Sequence, residues 1–346
     1  MCAKGIEMIA DADRTPRPPR QLLQAVVKFR EAGILFFIVA LAVVVTLRAP
    51  AFLTLSNLRD ILLNISILVI VALAQMMVII TRGVDLSVGS IIGLTAMMVS
   101  VVVVAYPALP MPLVLLLGMA LGATLGSFNG LLIAVGSVPP IIATLGTLSI
   151  YRGLIFLYSG GTWINAFEMP QSFRQLAKGA PLLAPNIILF ALAVTLAVAY
   201  LLRYTRTGRD IYAVGSNPDA ARFAGIRSER VIFLVYLISG LLCGLAGVLW
   251  ASRFEAAQTN TAAGFELQTV ASAVVGGVNI FGGSGSVLGT ILGAFLLGTI
   301  ANALTLVRIS PFWQLAAQGL LILLAVVIDA AIVRRLQRLA TGAQRV

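Results

Sequence analysis

Apolar runs long enough to cross a bilayer recur along this chain, and they constrain its fold more than any other feature. Six are continuous: Gly33–Leu47, Ile61–Thr81, Met111–Val135, Ile187–Leu202, Val231–Ser252 and Trp313–Val333. Four more are interrupted by Gly, Pro or polar residues: Leu86–Ala105, Pro140–Tyr158, Leu267–Phe281 and Val287–Val307. A hydrocarbon core about 30 Å thick takes about 20 apolar helical residues to cross. Lipid offers the backbone no hydrogen-bond partners, so each span satisfies its own. The expected fold is an all-α, polytopic membrane protein of about ten transmembrane helices, some broken or re-entrant. Composition agrees, with 60% hydrophobic and 11% charged residues, whereas soluble domains carry about 25% charged.

Charge sets the topology. The net charge is +11. With ten spans and a cytoplasmic N-terminus, 17 Lys and Arg residues fall inside and six outside, and Arg152 lies within a span. That is the positive-inside bias; both termini are expected to be cytoplasmic. The basic charge thus speaks for a lipid bilayer as partner and not for nucleic acid. Lys4, Arg14, Arg17, Arg20, Lys28 and Arg30 crowd the first thirty residues, and no cleavable leader is read there. Residues 1–31 are read as a cytoplasmic tail, 32–333 as one transmembrane domain with a basic inside loop at 203–230, and 334–346 as a second tail.

Several chemistries drop out. The chain has no histidine, which removes histidine-based acid–base, triad and zinc chemistry; no metal site is expected. Cys2 and Cys243 are its two cysteines, and Cys243 reads as a small buried hydrophobe. Paired intramembrane carboxylates, which an intramembrane enzyme would need, are absent, so no catalytic residues are assigned. Polar residues inside spans are costly and therefore informative: Asn64, Gln75, Asn129, Thr144, Thr147, Asn302 and Gln318. All are uncharged, and Asp329 is the one carboxylate deep in a run. Amides and hydroxyls suit a neutral polyhydroxylated solute. Each has two readings, as a solute contact on the path or as hydrogen-bonded glue between helices.

Gly118, Gly122, Gly126 and Gly130 recur every four residues and line one helix face, as do Gly240 with Gly244 and Gly289 with Gly293. Such faces let helix backbones approach closely. The segment from Thr81 to Ser90 ends one run and starts another. Arg82 and Asp85 are spaced to pair at the membrane boundary, and Asp85 or Ser87 can cap the next helix. The functional alternative is a cytoplasmic hinge built from Arg82, Gly83, Asp85 and Ser87. Gly83-Val84-Asp85-Leu86 and Gly277-Val278-Asn279-Ile280 suggest a weak internal repeat. Arg152 is read as structural.

The inside loop is the most patterned segment. Asn217-Pro218-Asp219 is a turn and N-cap signal, a short helix from Ala220 to Ala224 follows, and Gly225 ends it. Phe223 and Ile226 on so short a helix call for a partner, either the bilayer surface or a cytosolic protein.

Here the residues resemble a family. Asp219-Ala220-Ala221 followed by Gly225 resembles the Glu-Ala-Ala-x-x-x-Gly coupling motif of bacterial ATP-binding-cassette importer permeases, with Asp in place of Glu. From about Phe52 to Ile328 the chain resembles the ribose-type sugar permeases. The shared stretches are Gly83–Ser90, Phe128-Asn129-Gly130, Ala143–Leu148 with Tyr151-Arg152-Gly153, and Gly276-Gly277 through Ser286. Ser159–Ile164 looks closest to the rhamnose and autoinducer-2 branches. The resemblance implies an inner-membrane permease subunit, not an enzyme, that imports a neutral sugar or sugar-like solute. It implies a second permease subunit (homodimer or paralogue), a periplasmic solute-binding protein, and cytosolic ATPases. The ATPases would dock on Gly208, Gly215, Asn217, Asp219, Ala220, Ala221, Arg222 and Gly225 and would bind the ATP and magnesium. No GxxxxGK[ST] phosphate loop occurs in this chain, and no cofactor is expected on it. A branched-chain amino-acid permease and a stand-alone secondary carrier remain the alternatives.

Overall fold

The computed structural model describes residues 20–310 except 181–183, together with 313, 316, 319, 320, 323 and 327. Twelve α-helices run through 20–310: α1 Arg20–Arg48, α2 Leu55–Ile80, α3 Val88–Ala105, α4 Met111–Ala134, α5 Pro140–Ser159, α6 Gln171–Lys178, α7 Asn186–Tyr204, α8 Arg206–Ser216, α9 Pro218–Phe223, α10 Ser228–Phe254, α11 Phe265–Val275 and α12 Val287–Leu306. No strand forms among the described residues. Eight of the helices are long and apolar enough to cross a membrane. The run Trp313–Val333, with Gln318 and Asp329, lies almost wholly outside the described residues, as do most of both tails.

Helix starts follow local chemistry. Thr54, Thr205 and Ser286 each cap a helix by accepting a backbone N–H three residues on. Proline opens α4 and α5, where its missing N–H costs nothing. Three of the interrupted runs fold as continuous helices: Leu86–Ala105 from Val88 on, Pro140–Tyr158 and Val287–Val307. Their glycines serve packing or stay open, and none breaks the hydrogen-bond ladder.

Helix α2 is the buried centre, packed against α7, α10, α11 and α12; its spanning window is 94% buried. The most extensive pairing is α4 with α10, and it is made by the glycine ridges. A Cβ on Gly122 would overlap the Gly240 carbonyl, and one on Gly244 would overlap the Gly118 carbonyl. The four-residue spacing thus becomes backbone-to-backbone contact.

One expected span is different. Helix α11 has 11 residues, about 16 Å of rise, too short to cross alone. Gly264 (φ +80°) precedes it and Gly277 (φ +102°) follows it, which confines the helix to the residues between. The chain reaches α11 through a non-helical stretch, residues 255–264. Near its start lies an antiparallel bridge between Ile164 and Ala257. Arg152 donates to the carbonyls of Thr259 (3.2 Å) and Thr261 (2.8 Å), the structural role read for it. Stretch and helix together make one broken crossing. Irregular backbone is tolerated at such depth only when buried in protein or lining a polar cavity.

The molecule has two ends. One carries α8 and α9, here the loop end. The opposite end carries α6 and the 255–264 stretch. There Glu255 pairs with Lys178 and Arg174, and Asp60 with Arg253 at 3.1 Å. The Lys178 hydrogen bond, with the charges of Lys178 and Arg174, holds the Glu255 carboxyl below its ordinary value.

Candidate functional site

At the loop end the chain leaves the bundle and builds a small platform. Sequence reasoning read residues 208–216 as loop; they belong to α8, whose two glycines are required by close packing. A Cβ on Gly208 would overlap α7 backbone at Leu201 and Leu202, and one on Gly215 would overlap the Ile80 carbonyl. Asn217 then caps α9, accepting the N–H groups of Asp219 and Ala220 at 3.0 Å each. The helix runs Pro218–Phe223, shifted from the expected Ala220–Ala224, because proline sits at its first turn. Gly225 takes φ +80°, which favours glycine. Ala221 faces the bundle, buried. Asp219, Ala220, Arg222 and Gly225 are exposed, and Phe223 is 94% exposed. Ile226 packs against the core.

The platform is bolted to both helix-connecting segments. Arg82, at φ +66°, donates through Nε to the Gly215 carbonyl (2.6 Å) and through Nη2 to the Ser216 carbonyl (2.7 Å). Tyr212 donates to the Gly285 carbonyl at 2.9 Å, and the Gly283 N–H donates to the Ile80 carbonyl at 2.9 Å. The turn at Ile80 and Arg82, just before the Gly83–Leu86 segment, and the Gly282–Gly285 turn, just after Gly277–Ile280, therefore come together at the end of α2 beneath α8.

The expected Arg82–Asp85 pair does not form. Asp85 is fully buried, because the chain turns at Arg82 and climbs back alongside α2. With its amide oriented to suit its neighbours, Gln75 donates to the Asp85 carbonyl and accepts the Asp85 N–H, each at 3.1 Å. The Asp85 carboxylate accepts from the Ser87 N–H (2.9 Å) and hydroxyl (2.6 Å). Ser87 stands at the N-cap of α3 but makes no capping bond with its side chain, since that hydroxyl is committed to Asp85 and to Asn129. Asn129 donates to Ser87 Oγ at 2.8 Å and accepts from Tyr151 at 3.4 Å. Thr144 donates to the Val84 carbonyl at 3.1 Å.

Three of the polar residues read as path candidates, Gln75, Asn129 and Thr144, thus converge on the unwound Val84–Ser87 segment. Thr147 is buried on the same face of α5, one turn along. All four are closed to solvent in this conformation. Asn64 is exposed on α2. Asn302 lies at the opposite end, where its amide exchanges hydrogen bonds with Asn57 (3.1 and 2.9 Å). Asn57 escaped sequence reasoning because it sits in the first polar turn of α2. Tyr151 was legible in principle: Thr144, Thr147 and Tyr151 are spaced i, i+3 and i+7 on one face. Among the described residues, Asp85 Oδ2 and the hydroxyls of Tyr236 and Ser239 have no hydrogen-bond partner.

Eight long apolar helices, a broken crossing and a polar cluster at unwound backbone inside the bundle define a polytopic membrane transport protein. The chain belongs to the family described as the permease component of the branched-chain amino acid transport system, whose profile matches residues 57–326. It is 36% identical over 316 residues to the autoinducer 2 import system permease protein LsrC of Enterobacter sp. (strain 638), covering 91% of each chain. It is 37% identical over 302 residues to the ribose import permease protein RbsC of Escherichia coli (strain K12), covering 86% of this chain and 93% of the relative. LsrC of Salmonella typhi is 37% identical over 317 residues, with 92% and 90% covered. No solved structure matches the chain.

Proposed function

We propose that this chain is the transmembrane permease subunit of an ATP-binding-cassette importer of the bacterial inner membrane, carrying a neutral sugar or sugar-like solute into the cytoplasm. The observation that carries the reading is the likeness, over about nine-tenths of both chains, to permeases named for ribose and autoinducer 2 import. Those names favour a sugar-type solute over a branched-chain amino acid.

In this reading the α8–α9 platform receives a cytosolic ATPase, with Asp219, Arg222, Phe223 and Gly225 presented to it. An exposed phenylalanine on a six-residue helix has no use within this chain and supports a protein partner. ATP and magnesium belong to that partner. A second permease subunit and a periplasmic binding protein complete the assembly. Movement of the ATPases is passed through Arg82 and Tyr212 to the 83–87 and 276–286 segments, and the Gln75, Asn129, Thr144 and Thr147 cluster opens or closes with them.

Gentle purification of the tagged protein tests this. Co-isolation of a Walker-motif ATPase, lost in Phe223→Asp with insertion and thermal stability unchanged, supports it. A preparation without ATPase that still moves solute in vesicles overturns it in favour of a stand-alone carrier.

A further inference from the structure

The broken crossing borders an open cleft of about 470 Å³ at the end opposite α8 and α9, within the 300–1,000 Å³ typical of small-molecule sites. Its apolar wall is aromatic. Trp250 meets Phe254 at a ring-centroid distance of 5.0 Å and Phe265, edge-on, at 5.1 Å. Its polar wall is made of amides: Gln258 and Asn260 from the non-helical stretch, and Gln268 from the first turn of α11. No ionisable side chain lines it, and no hydrogen bond engages these three side-chain amides among the described residues. Their donors and acceptors are therefore unused.

The site is stiff. Arg152 holds the carbonyls of Thr259 and Thr261 from behind, and the Gln258 N–H is fixed on Thr261 Oγ1 at 2.9 Å. Ala262 is held at φ +55°, an uncommon conformation for a residue with a Cβ, so the turn is shaped against its own preference. An irregular segment held by hydrogen bonds beside a cavity is how discontinuous crossings form solute sites.

We propose that this cavity is a sugar-ring subsite, where solute is received before it reaches the buried cluster at Val84–Ser87. A neutral sugar ring has a face of C–H groups, which carry partial positive charge and pack on the electron-rich faces of aromatic rings. Its rim of hydroxyls both donates and accepts, and an amide answers both. A zwitterionic solute would find no counter-charge on these walls. The proposal rests on the importer reading above and adds to it the place and chemistry of recognition.

The test uses the whole transporter in membrane vesicles. Ala263→Cys in a Cys2→Ser background puts a thiol at the cavity rim, while Cys243 stays buried. Alkylation by N-ethylmaleimide is followed with ribose, rhamnose or leucine present. One of the sugars is expected to slow labelling several-fold in a saturable manner, and leucine to have no effect. Gln268→Leu is expected to abolish this protection and to lower sugar uptake about ten-fold, the loss of one buried hydrogen bond, with ATPase co-purification unchanged. Trp250→Leu is expected to act likewise, and Trp250→Phe to keep most of the activity. Uptake of sugar with no protection of the introduced thiol, and wild-type uptake by Gln268→Leu, would overturn the subsite and leave the importer standing. Protection and uptake with leucine in place of sugar would bring down both.

Discussion

Arg82 Nε lies 2.6 Å from the Gly215 carbonyl oxygen, and this contact ties the turn after α2 to the end of α8. The same guanidinium reaches the next carbonyl, of Ser216. A single side chain thereby clamps the platform, which exposes Asp219, Arg222 and Phe223, to the extended segment leading to Asp85. Hydrogen bonds from a charged donor are worth about 1.5–3 kcal/mol each. Arg82→Ala is expected to lower solute uptake ten-fold or more while the ATPase still co-purifies. Arg82→Lys, which keeps the charge but loses the fork, should fall between. Loss of ATPase binding in Arg82→Ala would show that the clamp builds the platform and does not transmit through it.

Two glycines of the platform separate packing from backbone strain. A Cβ on Gly215 would drive into the Ile80 carbonyl, whereas one on Gly225 would meet nothing within 4 Å and be penalised only by φ +80°. Gly215→Ala is expected to cost about 1–3 kcal/mol through overpacking. Gly225→Ala should cost about 1 kcal/mol through left-handed backbone. Thermal unfolding in detergent ranks the two; the reverse order would mean that α8 can move away from α2.

Asn129 bridges Ser87 on one side and Tyr151 on the other. Replacing it by leucine removes the amide that donates to Ser87 Oγ, while the Ser87 and Tyr151 hydroxyls keep Asp85 and the Leu125 carbonyl, and is expected to cost about 0.5–1.5 kcal/mol. Tyr151→Phe loses the bond to the Leu125 carbonyl, 2.8 Å long, and should cost about 0.5–1.5 kcal/mol. If Asn129 also meets the solute, uptake per folded molecule falls in Asn129→Leu and is kept in Tyr151→Phe. Equal uptake per folded molecule in both would assign Asn129 to packing.

Glu255 supplies the pH dependence. Its folded carboxyl titrates below the ordinary value of 4.5, chiefly because Lys178 donates to it. Stability from this group is complete above that ordinary value and is lost as pH falls through the lowered one. Glu255→Gln is therefore expected to melt below wild type at neutral pH, with the gap closing as pH drops below the ordinary carboxyl value. A gap that stays constant through acid would remove the Lys178–Glu255 pair as its cause.

Much was legible along the chain. Spans α1 to α5, α7, α10 and α12 were read from their apolar runs, and the glycine spacing marked one face of α4 and of α10 for close packing without saying that each is the other's partner. Asp219 to Gly225 marked the exposed platform. Other features were not legible. Asp85 reads as a boundary residue by its distance from the run's end, yet it lies at the depth of Gln75, since a few residues of extended chain can climb back as far as a helix turn or two descends. Helix α8 was hidden because Gly208 and Gly215 are poor helix formers that the packing, not the helix, requires.

The sequence by itself determined the solvent: a chain this apolar buries its backbone in helices within lipid, and their apolar lengths and glycine-lined faces follow from local spacing. The tertiary structure alone decided which polar residues belong together. Gln75, Asn129 and Thr144 come from three helices, and Trp250, Gln258 and Gln268 from both sides of a broken crossing. An uncharged amide carries the same local signature whether it glues helices or lines a cavity. Only its neighbours in space, set by non-local packing, tell the two apart.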